Sequence, residues 1–177
     1  MKSKYAWALG LCLLLTGCSP GSFDYSMVQY MLEVNPISLD GEQMMITDGQ
    51  IQCGVQSELW DLQQLGPGRA IARLNQPARD LHFGDDVVIG EAGMHSAYAQ
   101  LRGTFQLRML DFGNVRADGE RFKLVDAKIG VEIPHSCFQS PLPQLMAVRR
   151  GRFTQDALPT FRFRMDGNNW LYDRIQH

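Results

Sequence analysis

The side chains best equipped for chemistry are thinly spread along the 177 residues. Cys53 and Cys137 are the thiols of the body, and His135 stands two positions before Cys137. On an extended chain that spacing turns both side chains the same way. No nucleophile motif accompanies them, however, and Pro134, Pro141 and Pro143 make the segment a rigid loop. The densest set of possible metal ligands is His82, Asp85, Asp86, Glu91 and His95. Its spacing matches no metal motif, so an acidic surface turn is the simpler reading. Gly66-Pro67-Gly68 is a turn rather than a phosphate loop, because no lysine or hydroxyl residue follows in the required order. There is no Gly-x-Ser-x-Gly elbow, and nothing singles out a pair of carboxylates for glycoside chemistry. The expectation is therefore a protein that is not an enzyme and needs no cofactor or metal.

One group of charged residues invites a binding role. Arg149, Arg150 and Arg152 are followed by Arg162 and Arg164, interleaved with aromatic residues. Guanidinium groups at such spacing suit phosphates of lipids, acidic glycans or an acidic protein partner. If the two segments pair, five guanidiniums occupy one edge. They must then face water, internal carboxylates or an external anion.

The elements that would position these groups read mainly as strands. From Tyr98 to Asp111, Leu101, Gly103, Phe105, Leu107 and Met109 alternate with Arg102, Thr104, Gln106 and Arg108. Period two marks a strand with one dry and one wet face. Phe112 to Glu120 is rich in Gly, Asn and Asp, as a hairpin loop should be. The strand after it buries Val125, Ala127, Ile129, Val131 and Ile133. Phe122 and Leu124 are out of phase with these, which predicts a bulge near Leu124–Val125. Met44 to Gly54 reads as a strand entering Cys53, with shorter strands at Arg69–Leu74, Asp86–Ile89 and Leu158–Met165. Trp170 to Ile175 forms a last strand or packed tail, and Trp60 and Trp170 belong to the core. The one plausible helix is Phe23 to Val34, capped by Ser22 or Asp24, a segment that reads equally well as a strand. The fold class is mainly β: a single antiparallel β-sandwich or curled sheet, at most one short N-terminal helix, and one disulfide.

The N-terminus carries a separate signal. Lys2 and Lys4 precede about ten apolar residues, Ala6 to Leu15. As a helix these span roughly 15 Å, half of a ~30 Å hydrocarbon core, too short for a stable span. They end in Leu15-Thr16-Gly17-Cys18, which resembles the lipobox of bacterial lipoproteins. The resemblance implies cleavage before Cys18, a thioether-linked diacylglycerol on it, and acylation of the new terminus. Two or three acyl chains together make a lasting anchor where one does not. Ser19, where inner-membrane lipoproteins often carry aspartate, implies sorting to the outer membrane. The organisation expected is a signal peptide at 1–17, a lipidated tether at 18–22, and one β-rich domain at 23–177.

In that oxidising compartment the remaining cysteines, Cys53 and Cys137, form the natural pair. Their bridge closes a loop worth roughly 4.5 kcal/mol in the chain-entropy model and should join an early strand to a late one. Residues 18–96 hold 3 basic and 11 acidic residues, net −8, whereas 97–177 hold 12 and 8, net +4. The halves either present two different surfaces or interleave and neutralise each other. The net charge of −4 over residues 18–177 and the compartment make nucleic acid a poor candidate partner, and none is expected. The leading expectation is a non-enzymatic accessory factor of the cell envelope that binds another protein. The alternatives are a lipid or lipoprotein carrier with an apolar groove, and an inhibitor whose acidic Asp85–Asp86 loop plugs a cell-wall hydrolase. A solid core favours the first, an apolar tunnel the second.

Replacing Cys18 by Ser is expected to stop lipid-dependent processing and remove the acyl mass. Detergent-phase partitioning equal to that of the wild type would contradict the lipobox reading.

Overall fold

The computed structural model describes residues 23–89, 96–149, 152–153 and 157–177. The proposed signal peptide and Cys18, together with Glu91, His95 and Arg150, lie outside the described residues. In chain order the elements are α1 (Tyr25–Val34), β1 (Ile37–Ser38), β2 (Gln43–Thr47), α2 (Asp48–Gln56), β3 (Trp60–Gly66), β4 (Arg69–Leu74), α3 (Gln76–Asp80), β5 (Val87–Ile89) and β6 (Ser96–Gln100). They continue with β7 (Thr104–Ala117), β8 (Phe122–Glu132), a 3-10 turn (Ser136–Phe138), β9 (Gln144–Leu145), β10 (Val148–Arg149), β11 (Arg152–Phe153), β12 (Thr160–Asp166) and β13 (Asn169–Gln176). The class expected from the sequence holds: the protein is mainly β, a curled antiparallel sheet with one disulfide.

The long hairpin of β7 and β8 is the spine. One edge of β8 pairs with β7 from Gln106↔Glu132 to Ala117↔Lys123. Two segments share its other edge. Phe122–Asp126 pair with β12, whereas Gly130 pairs with Gln144 of β9. Next to these pairings, Ala127 N donates to Pro159 O at 3.1 Å, and Val131 N donates to Pro143 O at 2.8 Å. The sheet therefore forks at β8. One branch is β12–β13, and the other runs β9–β2–β6–β5–β4–β3. The branches meet again where His177 Nε2 lies 2.9 Å from Glu42 Oε1.

Inward-facing alternation fills the space so enclosed. Phe105, Leu107 and Met109 of β7, Val125, Ala127, Ile129 and Val131 of β8, and Phe161 and Phe163 of β12 are buried. Helix α1, capped by Asp24 through Met27 N, seals this side with Val28 and Leu32, both fully buried. Phe23 packs edge-on against Phe163 and Trp170 at 5.5 and 4.9 Å. Glu33 accepts from Met109 N at 2.8 Å, so α1 also covers the edge of β7 beyond β1.

Several expectations need correction. The described residues contain three α-helices rather than at most one. The expected Met44–Gly54 strand ends at Thr47, where a capping box of Thr47 and Gln50 starts α2. Cys53 thus sits on a helix, and its bridge to Cys137 joins α2 to the 3-10 turn rather than two strands. The expected Tyr98–Asp111 strand is broken at Gly103, whose φ of +91° suits glycine. The expected hairpin loop is mostly strand, since β7 continues to Ala117. The bulges fall on β7, between Met109 and Asp111 and between Phe112 and Val115, not on β8. Phe122 is out of phase because it lies on the outer face, under the Arg162 guanidinium 3.7 Å away.

Helix α2 is fixed from three sides. Gln50 Nε2 donates to Pro141 O at 2.9 Å, Cys53 bonds Cys137, and Trp60 Nε1 donates to Ile51 O at 2.9 Å. Trp60, Phe83 and Phe138 form an aromatic cluster beneath it, with centroids 5.4 to 6.1 Å apart. Gly54 lies so close that a Cβ there would stand 2.2 Å from the Trp60 ring. Gly54→Ala is expected to cost at least about 2 kcal/mol in denaturant unfolding, through overpacking against a ring held by its own hydrogen bond. A change below 0.5 kcal/mol would contradict the packing described.

Candidate functional site

A groove of about 700 Å³ opens on the outer side of the spine. Three segments build it. Asp80, Leu81 and His82 come from the end of α3, Thr104 to Arg108 from β7, and Glu132 to Pro134 with Gln139 and Leu142 from β8 and the loop after it. The alternation that buries Leu107 necessarily turns Gln106 and Arg108 outward. Arg108 is locked diagonally across the strands to the residue opposite Gln106, with Nε and Nη2 2.9 and 2.7 Å from Glu132 Oε1.

Two backbone features shape the groove. Leu142 rests on β8 because Gly130 has no side chain; a Cβ there would stand 3.0 Å from Leu142 Cβ. His82 has a left-handed φ of 68°, which histidine tolerates better than most residues but which still marks a constrained position. Its ring meets Phe105 edge-on at 5.9 Å, and its Nδ1 lies 3.3 Å from where a Cβ of Gly103 would be. The groove therefore offers imidazole, amide, hydroxyl and guanidinium groups above Leu81, Phe105, Ile133 and Leu142.

The residues singled out in the sequence fall in different places. Asp85 pairs with Arg102 at 3.5 Å, and Asp86 pairs with Arg73 at 3.4 Å and accepts from Leu74 N at 2.9 Å. Among the described residues, no three His, Cys, Asp or Glu side chains converge as a metal site. His135 accepts from Cys137 N at 3.3 Å and caps the 3-10 turn. Among the described residues the two arginine segments do not pair with each other: Arg149 and Arg152 are opposite one another in the β10–β11 ladder, while β12 pairs with β13 and β8. Arg162 is held within the protein: Nε lies 3.0 Å from Asp118 Oδ2, off hydrogen-bond alignment, and Nη1 lies 3.7 Å from Asp173. Arg164 is exposed. The groove itself was missed, since Gln106, Arg108 and Glu132 read in sequence only as the wet face of strands.

Burial pushes the Glu42 carboxyl above its ordinary range, and the neighbouring His177 opposes this. Nearby, burial first and then the charges of Glu42 and Asp173 push the Tyr172 hydroxyl up to about 12. Comparison with known proteins yields no matching family model, no matching curated protein and no matching solved structure. The function must be read from the geometry alone.

A group whose pKa is raised by folding stabilises the fold below its unfolded value and loses that contribution as pH rises through its folded one. Tyr172 is thus expected to weaken the fold between pH 10 and about 12. Tyr172→Phe should flatten this alkaline loss, measured as Tm against pH. An unchanged slope would place the burden on other groups.

Proposed function

We propose that the protein is a lipid-anchored outer-membrane accessory factor that binds another envelope protein without catalysing a reaction. The observation that supports this most is where space is filled and where it is open. The curled sheet is packed with its own Val28, Leu32, Phe161 and Phe163, each fully buried. A lipid carrier needs an apolar interior that a chain can enter, and this core supplies none at those positions. Open volume instead lies outside, in the His82–Arg108–Glu132 groove, where polar groups surround a small apolar floor. Asp85 and Asp86, the proposed plug of an inhibitor, are engaged with Arg102 and Arg73, which makes that alternative weaker.

The lipobox supplies the anchor in this reading. At ~3.5 Å per residue, the five steps from Cys18 to Phe23 reach roughly 17 Å, so the domain stays close to the membrane. A photo-crosslinking side chain at Gln106 or Gln139, in cells, is expected to capture one defined envelope protein. Arg108→Glu should lower that yield at least tenfold while changing stability by no more than about 1 kcal/mol, as for an exposed ion pair. Absence of any adduct from both positions would contradict the groove as binding site.

A further inference from the structure

The polar stripe of α1 faces the sheet rather than water. Ser26, Gln29 and Glu33 recur at helical spacing and form that stripe. Glu33 Oε1 accepts from Met109 N at 2.8 Å and its Oε2 accepts from Gln29 Nε2 at 3.2 Å. Both residues are half-buried, and Val28 and Leu32 fill the core below them. The outside of the helix is left to Met27, Tyr30, Met31 and Val34, at spacings i, i+3, i+4 and i+7. Met27 and Met31 are half-buried, whereas Tyr30 and Val34 are 64% and 49% exposed. Glu33 is the one charged residue from Tyr25 to Val34, so the outer stripe is uncharged along its length.

What lies beside that face follows from the chain leading into the helix. Phe23 packs on Phe163 and Trp170, which fixes the point of entry. Cys18 stands five steps before Phe23, and the apolar run Ala6–Leu15 ends eight steps before it. At ~3.5 Å per step these segments reach at most roughly 17 and 28 Å. Tyr30 follows within about another 10 Å of helix. A bilayer that holds either the acylated Cys18 or the apolar run is therefore within reach of the outer stripe. Contact between tethered surfaces is intramolecular, so a stripe too small to capture a partner from solution is enough to rest on lipid. Tyrosine, with an apolar ring and a polar tip, suits the boundary between headgroups and acyl chains, and the methionines and valine suit its apolar side.

We propose that the outer face of α1 lies on the bilayer that anchors the chain, with Tyr30 and Val34 at headgroup depth, and so fixes how the domain stands on the membrane. This rests on the reading of the chain as lipid-anchored and adds the face by which the domain is held.

The test uses the full-length protein, purified in detergent and reconstituted into phosphatidylcholine vesicles with or without bromine near the headgroup end of the acyl chains. A tryptophan is placed at Tyr30 or at Val34, both exposed enough to accept it without disturbing the core. A control places it at Leu65, 53% exposed on β3 at the far end of the longer branch. Brominated lipid should quench the emission added by Tyr30→Trp and by Val34→Trp at least twofold, and should leave that added by Leu65→Trp unchanged. Flotation of the wild-type protein with the vesicles tests anchoring separately. Flotation without quenching at either helix position leaves the anchor standing and overturns the proposal, as does equal quenching at Leu65. Absence of flotation removes anchor and proposal together. An unquenched blue shift of the added tryptophan that grows with protein density would assign the face to a second copy of the chain, and would likewise overturn the proposal.

Discussion

The fold depends on one strand edge having two partners. A flat sheet would extend β8 by a single neighbour, but β12 occupies its first half and β9 its second. Each partner then carries its branch away in a different direction, and the natural twist of strands curls both toward the same side. Closure requires material between the branches. Helix α1 supplies it on one side, and the segment from the 3-10 turn to β9 supplies it on the other. Gly130 permits the second approach, because Leu142 occupies the space of its missing side chain.

The same constraint separates structure from recognition. Phe161, Phe163 and Leu32 occupy the interior of the curl, and the groove lined by His82, Arg108 and Glu132 opens outside it. The fork also keeps the charge asymmetry of the chain in space. The basic second half forms the spine and the β12–β13 branch, while the acidic first half forms much of the longer branch. Steering of a charged partner toward one end follows from such a distribution.

Much of this was legible before the fold was known. Period-two alternation located β7, β8 and β12, Trp60 and Trp170 were placed in the core, and Cys53 and Cys137 are bonded. Helix α2 was missed although Thr47 and Gln50 stand at capping-box spacing, because the apolar run Met44–Ile46 before them favours a strand. The helix is short, contains Gly49 and Gly54, and is held by the disulfide and by Trp60, contacts that no local window contains. The outer groove was illegible for a related reason. Gln106, Arg108 and Glu132 look like ordinary solvent-facing residues until the loop at Leu142 and the end of α3 are folded over them.

The central claim is that the curled sheet is filled by the protein's own side chains, so that binding takes place on its outside. Native mass spectrometry of the protein solubilised in detergent tests this most directly. The expected mass is that of the chain and, under the proposed function, its covalent anchor, with no further stoichiometric lipid. Retention of one non-covalent lipid per chain, displaced by enlarging a core residue such as Leu32→Trp, would contradict it.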